Sequence, residues 1–424
     1  MASDTAQSLP RVAAAGSETQ TLLAVSAAHL VSHFYIMVLP VLLPLLKERL
    51  NVSFLDLGLA LTTFNVVTGL TQAPTGFLVD RIGARPVLVA GLILGGLSFF
   101  SIAFVTSYPW LLVAAVMAGL ANCVYHPADY AILADSIAES RVGRAFSIHT
   151  FAGFLGGAVA PAILLTLAAF GGIEAALIVA GCIGLSIALL VYVLPNQQPS
   201  IDRTRAGRSA AIGAVGSIAA VLTPGVLAMT GFFTLLALSN SGIYSFSVVA
   251  LVATHGVAFA AANTALTAYL ACSAIGVLLG GWLADRTTRH GHVAALGFAL
   301  AAAIMLLIAT LTLPAAALVL AMGCAGIIFG MVQPSRDMLV RRAAPPGTAG
   351  RVFGIVSTGF NIGGIVGPIL FGWLMDRGEP RWVFGGAVVF MALTALFGLL
   401  EERRDRQIPS PRSSRGEGAN LTHS

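Results

Sequence analysis

Apolar residues fill this chain in blocks of 20 or more, each closed by a short polar or charged break. A block of about 20 is the length of a helix that crosses the hydrocarbon core of a bilayer. A membrane strand barrel would instead show segments of about ten residues that alternate between apolar and polar. The blocks fall near 22–46, 56–79, 86–107, 109–134, 145–169 and 173–194, then near 225–252, 258–284, 291–312, 314–340, 351–375 and 382–400. Between the two sets lies the polar, basic stretch "PNQQPSIDRTRAGRS" at 195–209. The pattern predicts an all-α polytopic membrane protein of twelve transmembrane helices in two bundles. Its parts are an N-terminal tail (1–20), a six-helix bundle (21–194), a linker (195–224), a second six-helix bundle (225–400) and a C-terminal tail (401–424). The last segment is charged and rich in Ser and Pro, a composition that favours disorder.

Composition agrees with the pattern. Of 424 residues 57% are hydrophobic and 10% charged, where a soluble domain carries about 25% charge. Of the 23 basic residues 22 are arginine, and most flank the apolar blocks, which argues against nucleic acid as a partner. Loops after spans 2, 4, 6, 8 and 10, with the two tails, hold eighteen Arg; the opposite side holds Lys47, Arg49, Arg377 and Arg381. Eighteen against four places both termini in the cytoplasm of a protein integral to the inner (plasma) membrane. The small-residue stretch "VAAAGS" precedes the first block, whereas a signal-peptide cleavage site follows its apolar core, so the N-terminus reads as uncleaved. Cys123, Cys182, Cys272 and Cys324 lie singly inside apolar runs and read as small core residues, with no disulfide or metal framework. No phosphate-binding loop or soluble domain offers a nucleotide site, and no cofactor is implied. An intramembrane enzyme would need a nucleophile with its base at bilayer depth, and none can be assembled from these residues. A ligand sensor built on a transporter scaffold stays open.

The two sets of spans echo each other. "GFLVDR" (76–81) recurs as "GWLADR" (281–286), "GRAF" (143–146) as "GRVF" (350–353), Pro161 as Pro368 and "SHFY" (32–35) as "SGIY" (241–244), at offsets of 205 to 209 residues. A duplicated six-helix unit is typical of transporters that rock two halves around a site near the midplane.

On these residues the chain resembles the major facilitator superfamily. The loop "GFLVDRIGAR" is similar to the family's loop between spans 2 and 3 through Gly76, Asp80, Arg81, Gly83 and Arg85. The second copy keeps Gly281, Asp285 and Arg286. The resemblance implies a gating role: Gly76 for close helix approach, Asp80 at a helix N-terminus, and the arginines pairing across the cytoplasmic gate. Within the superfamily, "GLANCVYHPADYAILADS" resembles the fosmidomycin-resistance-like efflux group, with Asp129 standing one position after that group's usual Glu. Span 5, with Gly156, Gly157 and Pro161, and span 11, with Gly363, Gly367 and Pro368, resemble the Gly-rich antiporter motif of drug exporters. Simple close packing by small residues explains them equally well. The resemblance also implies a monomer working by alternating access.

The residues that bear on chemistry are the polar ones within spans, where each ionisable group costs about 2.5–3.5 kcal/mol to insert and faces a cavity or a partner. His126 and Asp129 share one face of span 4, on either side of Pro127. His29 and His33 share a face of span 1; their spacing also suits a metal, but no acidic ligand accompanies them in that span, and no metal is expected. At an offset of 207, His126 maps onto Gln333 and Asp129 onto Arg336, the one basic residue inside a span. An Asp129–Arg336 pair across the central axis is expected to close the cytoplasmic side, with Asp337 as competitor. Tyr35 and Tyr244, with Gln72 and Asn240, are candidates for cavity hydrogen bonds. The role of His149 is open, and His255, His290 and His292 read as solvated loop residues. Together these readings predict proton-coupled export, by antiport, of a small polar or anionic compound or drug. The alternative is a facilitator or proton symporter for organic anions, with Arg336 as the ligand.

Overall fold

The computed structural model describes residues 9–194, 222–343 and 349–407. Most of the expected linker (195–224), the first eight residues and 408–424 of the C-terminal tail lie outside the described residues, as does the side chain of Arg351 in the repeated "GR" motif. The chain forms helices α1 (Leu9–Leu50), α2 (Phe54–Ile82), α3 (Ala84–Phe104), α4 (Tyr108–Ser136) and α5 (Glu139–Val193), then α6 (Pro224–His255), α7 (Phe259–Ala284), α8 (His290–Thr310), α9 (Ala315–Ala343), α10 (Ala349–Asp376) and α11 (Arg381–Gln407). All eleven are long and apolar enough to cross a bilayer. Helix α1 begins thirteen residues before the expected span, and Glu18 in that extension pairs with Arg141 at 2.8 Å.

Eleven helices make twelve spans because α5 holds two. Its 55 residues would measure about 80 Å if straight, more than twice a bilayer core. Gly171 and Gly172 break it, with φ of +72° at Gly172, a value that costs glycine little and other residues much. The break falls between the expected spans 145–169 and 173–194. The chain reverses there: Gly156 rests on the Leu30 carbonyl of α1, while the Tyr35 hydroxyl one turn further along α1 donates to Ala180 O.

Helix starts follow the sequence. Ser53 and Asp56 form a capping box on α2, Ser107 caps α4 ahead of Pro109, and Thr223 caps α6 ahead of Pro224. Helices α1–α5 pack together as one half and α6–α11 as the other. Among apolar helices in lipid, close van der Waals contact replaces the hydrophobic effect as the driving force, so glycines mark the tight crossings. A Cβ at Gly363 would collide with Ala237 Cβ, and one at Gly367 with Ser241 Oγ. Gly156, Gly363 and Gly367 are thus packing positions. A Cβ at Gly76, Gly157 or Gly281 would meet nothing within 4 Å, so close approach is not what holds those three in this conformation. Of the four cysteines only Cys123 is buried; Cys182 and Cys324 are exposed, not core.

The halves meet toward the Arg-poor end. Asp376, at the end of α10, accepts from Phe54 N (2.9 Å) and Leu55 N (2.7 Å) at the start of α2. Thr62 donates to Ile365 O at 2.8 Å. The Asn263 side chain of α7 donates to Pro161 O at 3.3 Å, and the Pro368 carbonyl abuts Gly58. Pro161 and Pro368 are repeat mates 207 apart, and Gly58 and Asn263 are 205 apart. The seam therefore follows the internal duplication. Two cavities lie between α5 and α7: one of about 620 Å³ at the Arg-poor end, bordered by Leu45, Leu165, Phe170 and Phe259 beside the Asn263 contact, and one of about 360 Å³ toward the Arg-rich end, lined by Phe146, Thr150 and Phe154 of α5, Val277 and Gly281 of α7 and Pro334 of α9.

Candidate functional site

Four histidines and one aspartate converge in the first half. His29 and His33 come from α1, His126 and Asp129 from α4, and His149 from α5. Glycine makes the convergence possible. One turn after His149, a Cβ at Gly153 would lie 2.7 Å from His29 Nε2 and 3.0 Å from His33 Cδ2. The bare backbone of α5 at 153 and 156 lets α1 settle against it, and the His29 and His149 rings stack at 3.9 Å with 21° between planes. The His33 and His126 rings stand 4.8 Å and 5.4 Å from that of His29.

Asp129 is 0% exposed. Its Oδ2 lies 3.0 Å from His149 Nε2, a hydrogen bond, and 3.4 Å from His29 Nδ1, a charge contact without hydrogen-bond alignment. Asp129 Oδ1 and His149 Nδ1 have no hydrogen-bond partner among the described residues. A carboxylate with no access to water needs either a counter-charge, as from a proton on an imidazole, or a proton of its own. His126, by contrast, is exposed, as is Tyr130, although both lie within the inner part of α4. Tyr130 lies 5.7 Å from His126 and meets Phe146, a wall residue of the Arg-rich α5–α7 cavity, at 5.2 Å, so the two rings border that cavity as a vestibule and the carboxylate sits behind them. Thr150 beside His149, and Phe154, whose ring is 6.4 Å from that of His33, border the same cavity.

His29, Asp129 and His149 are metal-ligand types, and their donor atoms lie within 4.8 Å of one another. An imidazole lone pair points along the ring plane, however. Two rings stacked at 3.9 Å and 21° do not aim their lone pairs at one ion. The arrangement suits a shared proton better than a metal.

The second half brings a different set together. Arg336 donates through Nε (2.9 Å) and Nη2 (2.7 Å) to one oxygen of its neighbour Asp337. The expected Asp129–Arg336 pair is not formed: the histidines take Asp129, and Asp337, the competitor, takes Arg336. The guanidinium lies over the rings of Phe233 (4.9 Å) and Phe360 (5.5 Å). Tyr244 is within electrostatic reach of Arg336, and Tyr130 of the first half within reach of Asp337. Gln333 is buried, one turn before Arg336.

Other expectations are corrected by position. Tyr35 is buried against Phe99 and bonded to Ala180 O, so it packs and does not reach the vestibule. The Asn240 amide is engaged by Leu236 O and by the Tyr269 hydroxyl. His290 is buried near Ser335 Oγ (3.5 Å), and His255 accepts from Leu313 N (3.1 Å), so neither is a solvated loop residue. In the gating loop Gly83 supplies the turn from α2 to α3 with φ +97°. Arg85 does not cross a gate: it donates to Val191 O, Tyr192 O and Leu194 O, capping the last carbonyls of α5 in its own half. Asp80 and Arg81 are exposed at the end of α2; in the second copy Asp285 ends α7, and Arg286 stacks on Trp282 at 4.0 Å. Sequence reasoning missed His149 as the partner of Asp129. Its one signal is an ionisable residue within a turn of Gly153 in an apolar run.

The profile described as Major Facilitator Superfamily matches residues 25–250 and 230–423. The uncharacterized MFS-type transporter YfnC of Bacillus subtilis is 26% identical over 390 residues, covering 89% of this chain and 92% of its own. The fosmidomycin resistance protein of Escherichia coli is 24% identical, covering 67% of this chain and 71% of its own. The crystal structure of a bacterial homologue of the human lysosomal transporter Spinster, inward-facing and unoccupied, superposes with a TM-score of 0.74 at 17% identity, over 93% of this chain and 99% of that one.

Proposed function

The chain belongs to the major facilitator superfamily of transporters, and we propose that it is a proton-coupled exporter of a small polar or anionic compound, working by alternating access. The observation that carries the proposal is the buried Asp129 carboxylate held between two imidazoles behind a vestibule. A proton reaching the His29–Asp129–His149 cluster from the vestibule neutralises the one charge that is wholly sealed among the described residues of the first half. Neutralisation lowers the cost of swinging that half past lipid and past its partner; loss of the proton restores it. The substrate occupies the vestibule between the cluster and Arg336.

Direction follows from two supports. The Arg-rich loops favour a cytoplasmic location for the open end of the vestibule, so the conformation described is the one that loads from inside. The resistance protein's printed name accords with efflux. On this reading the protein works as a monomer in the plasma membrane, with protons as its coupling partner.

The second reading, a facilitator or symporter for organic anions, is favoured by Arg336, whose Nη1 has no hydrogen-bond partner among the described residues. A proteoliposome assay with an internal pH dye separates the two. Candidate anions and cationic drugs are added singly: a counter-directed proton flux supports antiport, a co-directed flux supports symport, and labelled-solute exchange with no pH change supports facilitation.

A further inference from the structure

The surroundings of Arg336 point to a narrower substrate class, and this rests on the transporter reading above. We infer that the vestibule takes monocarboxylates whose carboxylate is conjugated to, or carried close to, a planar aromatic group. The carboxylate sits on Arg336 and the ring on Phe360.

Three features converge. First, Asp337 engages the guanidinium from the side, taking Nε and Nη2 on a single oxygen, so the outer edge formed by Nη1 and the second Nη2 hydrogen has no hydrogen-bond partner among the described residues. That edge is the fork that grips a carboxylate with two parallel hydrogen bonds. Asp337 already balances the arginine charge, so the fork suits a monoanion and disfavours a dianion.

Second, the two rings beside Arg336 differ. Phe233 is buried, whereas Phe360 is 38% exposed. The rings meet edge to face at 4.8 Å and hold the guanidinium at 4.9 Å and 5.5 Å. These contacts set Phe360 of α10 against Phe233 of α6 and Arg336 of α9. Apolar ring surface left open to a watery vestibule is unfavourable, and a planar ligand covering it is favoured.

Third, at the level of His126 and Tyr130 the facing wall carries no accessible negative charge among the described residues. Asp129 is 0% exposed, and the exposed groups of α4 there are His126 and Tyr130, which hydrogen-bond neutral polar substituents. Across from Arg336 an anion meets donors, and the carboxylate beside it, Asp337, is engaged by Nε and Nη2 of that arginine.

Calorimetric titration of the full chain in nanodiscs tests the inference with cinnamate, cinnamamide, cyclohexanecarboxylate and tetraphenylphosphonium. Cinnamate is expected to bind more than about tenfold tighter than its uncharged amide, the effect of a charged hydrogen-bond pair, and about two- to tenfold tighter than the non-aromatic acid, the range of one ring stack. Phe360→Leu should abolish the preference for cinnamate over cyclohexanecarboxylate while leaving the latter's affinity unchanged. Phe360→Tyr should keep it. Equal binding of both acids by the unaltered protein, or an equal loss of both in Phe360→Leu, overturns the aromatic assignment and leaves the anion reading standing. Binding of tetraphenylphosphonium or cinnamamide without either acid overturns the anion reading too. Absence of binding by every probe at millimolar concentration also overturns the inference. Proton coupling is scored separately in the liposome assay, so its failure is distinguishable from either result.

Discussion

The two halves of the molecule share a scaffold and divide the chemistry. Pro161 against Asn263 and Pro368 against Gly58 repeat one contact at the Arg-poor end, built from residues that correspond under the duplication. At the opposite end the corresponding residues diverge. Asp129 is enclosed by imidazoles from α1 and α5, whereas its mate Arg336 lies beside an exposed Phe360 with one edge of its guanidinium unbonded among the described residues. The mate of His149 is Val356, and the mate of His29 falls at Leu238, so nothing in the second half can rebuild the cluster. The seam, which both halves must share in order to rock, kept its symmetry. The charge-bearing groups did not, and on the proposed function this is the division between a half that carries the proton and a half that holds the substrate.

This division can be broken residue by residue. Gly153→Ala should do large damage: its Cβ would lie 2.7 Å from the His29 ring, and overpacking of this kind costs about 1–3 kcal/mol. Proton-coupled flux should fall about tenfold, while binding of a ligand at Arg336 stays intact; a parallel loss of both would show a general packing defect. Asp376→Ala acts on the shared scaffold. It removes the carboxylate that caps α2 from the other half, at a cost of about 1 kcal/mol. The Arg-poor end should open about fivefold more often, read as a longer distance between spin labels on the ends of α2 and α10; an unchanged distance distribution would mean the other seam contacts suffice. His126→Ala should do least. Its ring is exposed and only approaches that of His29 at 5.4 Å, so an effect on flux of about twofold is expected. Complete loss of flux in this variant would move the proton site from the sealed cluster to the vestibule wall.

How far the sequence reaches differs between scaffold and site. Long apolar blocks can only be membrane helices, so the twelve spans and even the turn at Gly171–Gly172 are readable from it. His29, His126, Asp129 and Arg336 stand out for the same reason, since each is costly in lipid. Their pairing is not readable, because it depends on how each helix is rotated about its axis. His149 reaches Asp129 because α5 has no side chain at Gly153 and Gly156, a fact that appears only when α1 is laid against it. The repeat offset does bring Asp129 and Arg336 into correspondence. It cannot say that the halves meet at the other end, or that Asp337, adjacent in sequence, satisfies Arg336 first.

The most direct test of the account is solute movement by Asp129→Asn in proteoliposomes, measured with an imposed pH gradient and again as exchange without one. The account predicts that gradient-driven accumulation is abolished while exchange of labelled solute persists, because the amide removes the proton-dependent charge and leaves the Arg336 side of the vestibule in place. Accumulation that still follows the pH gradient in this variant would contradict it.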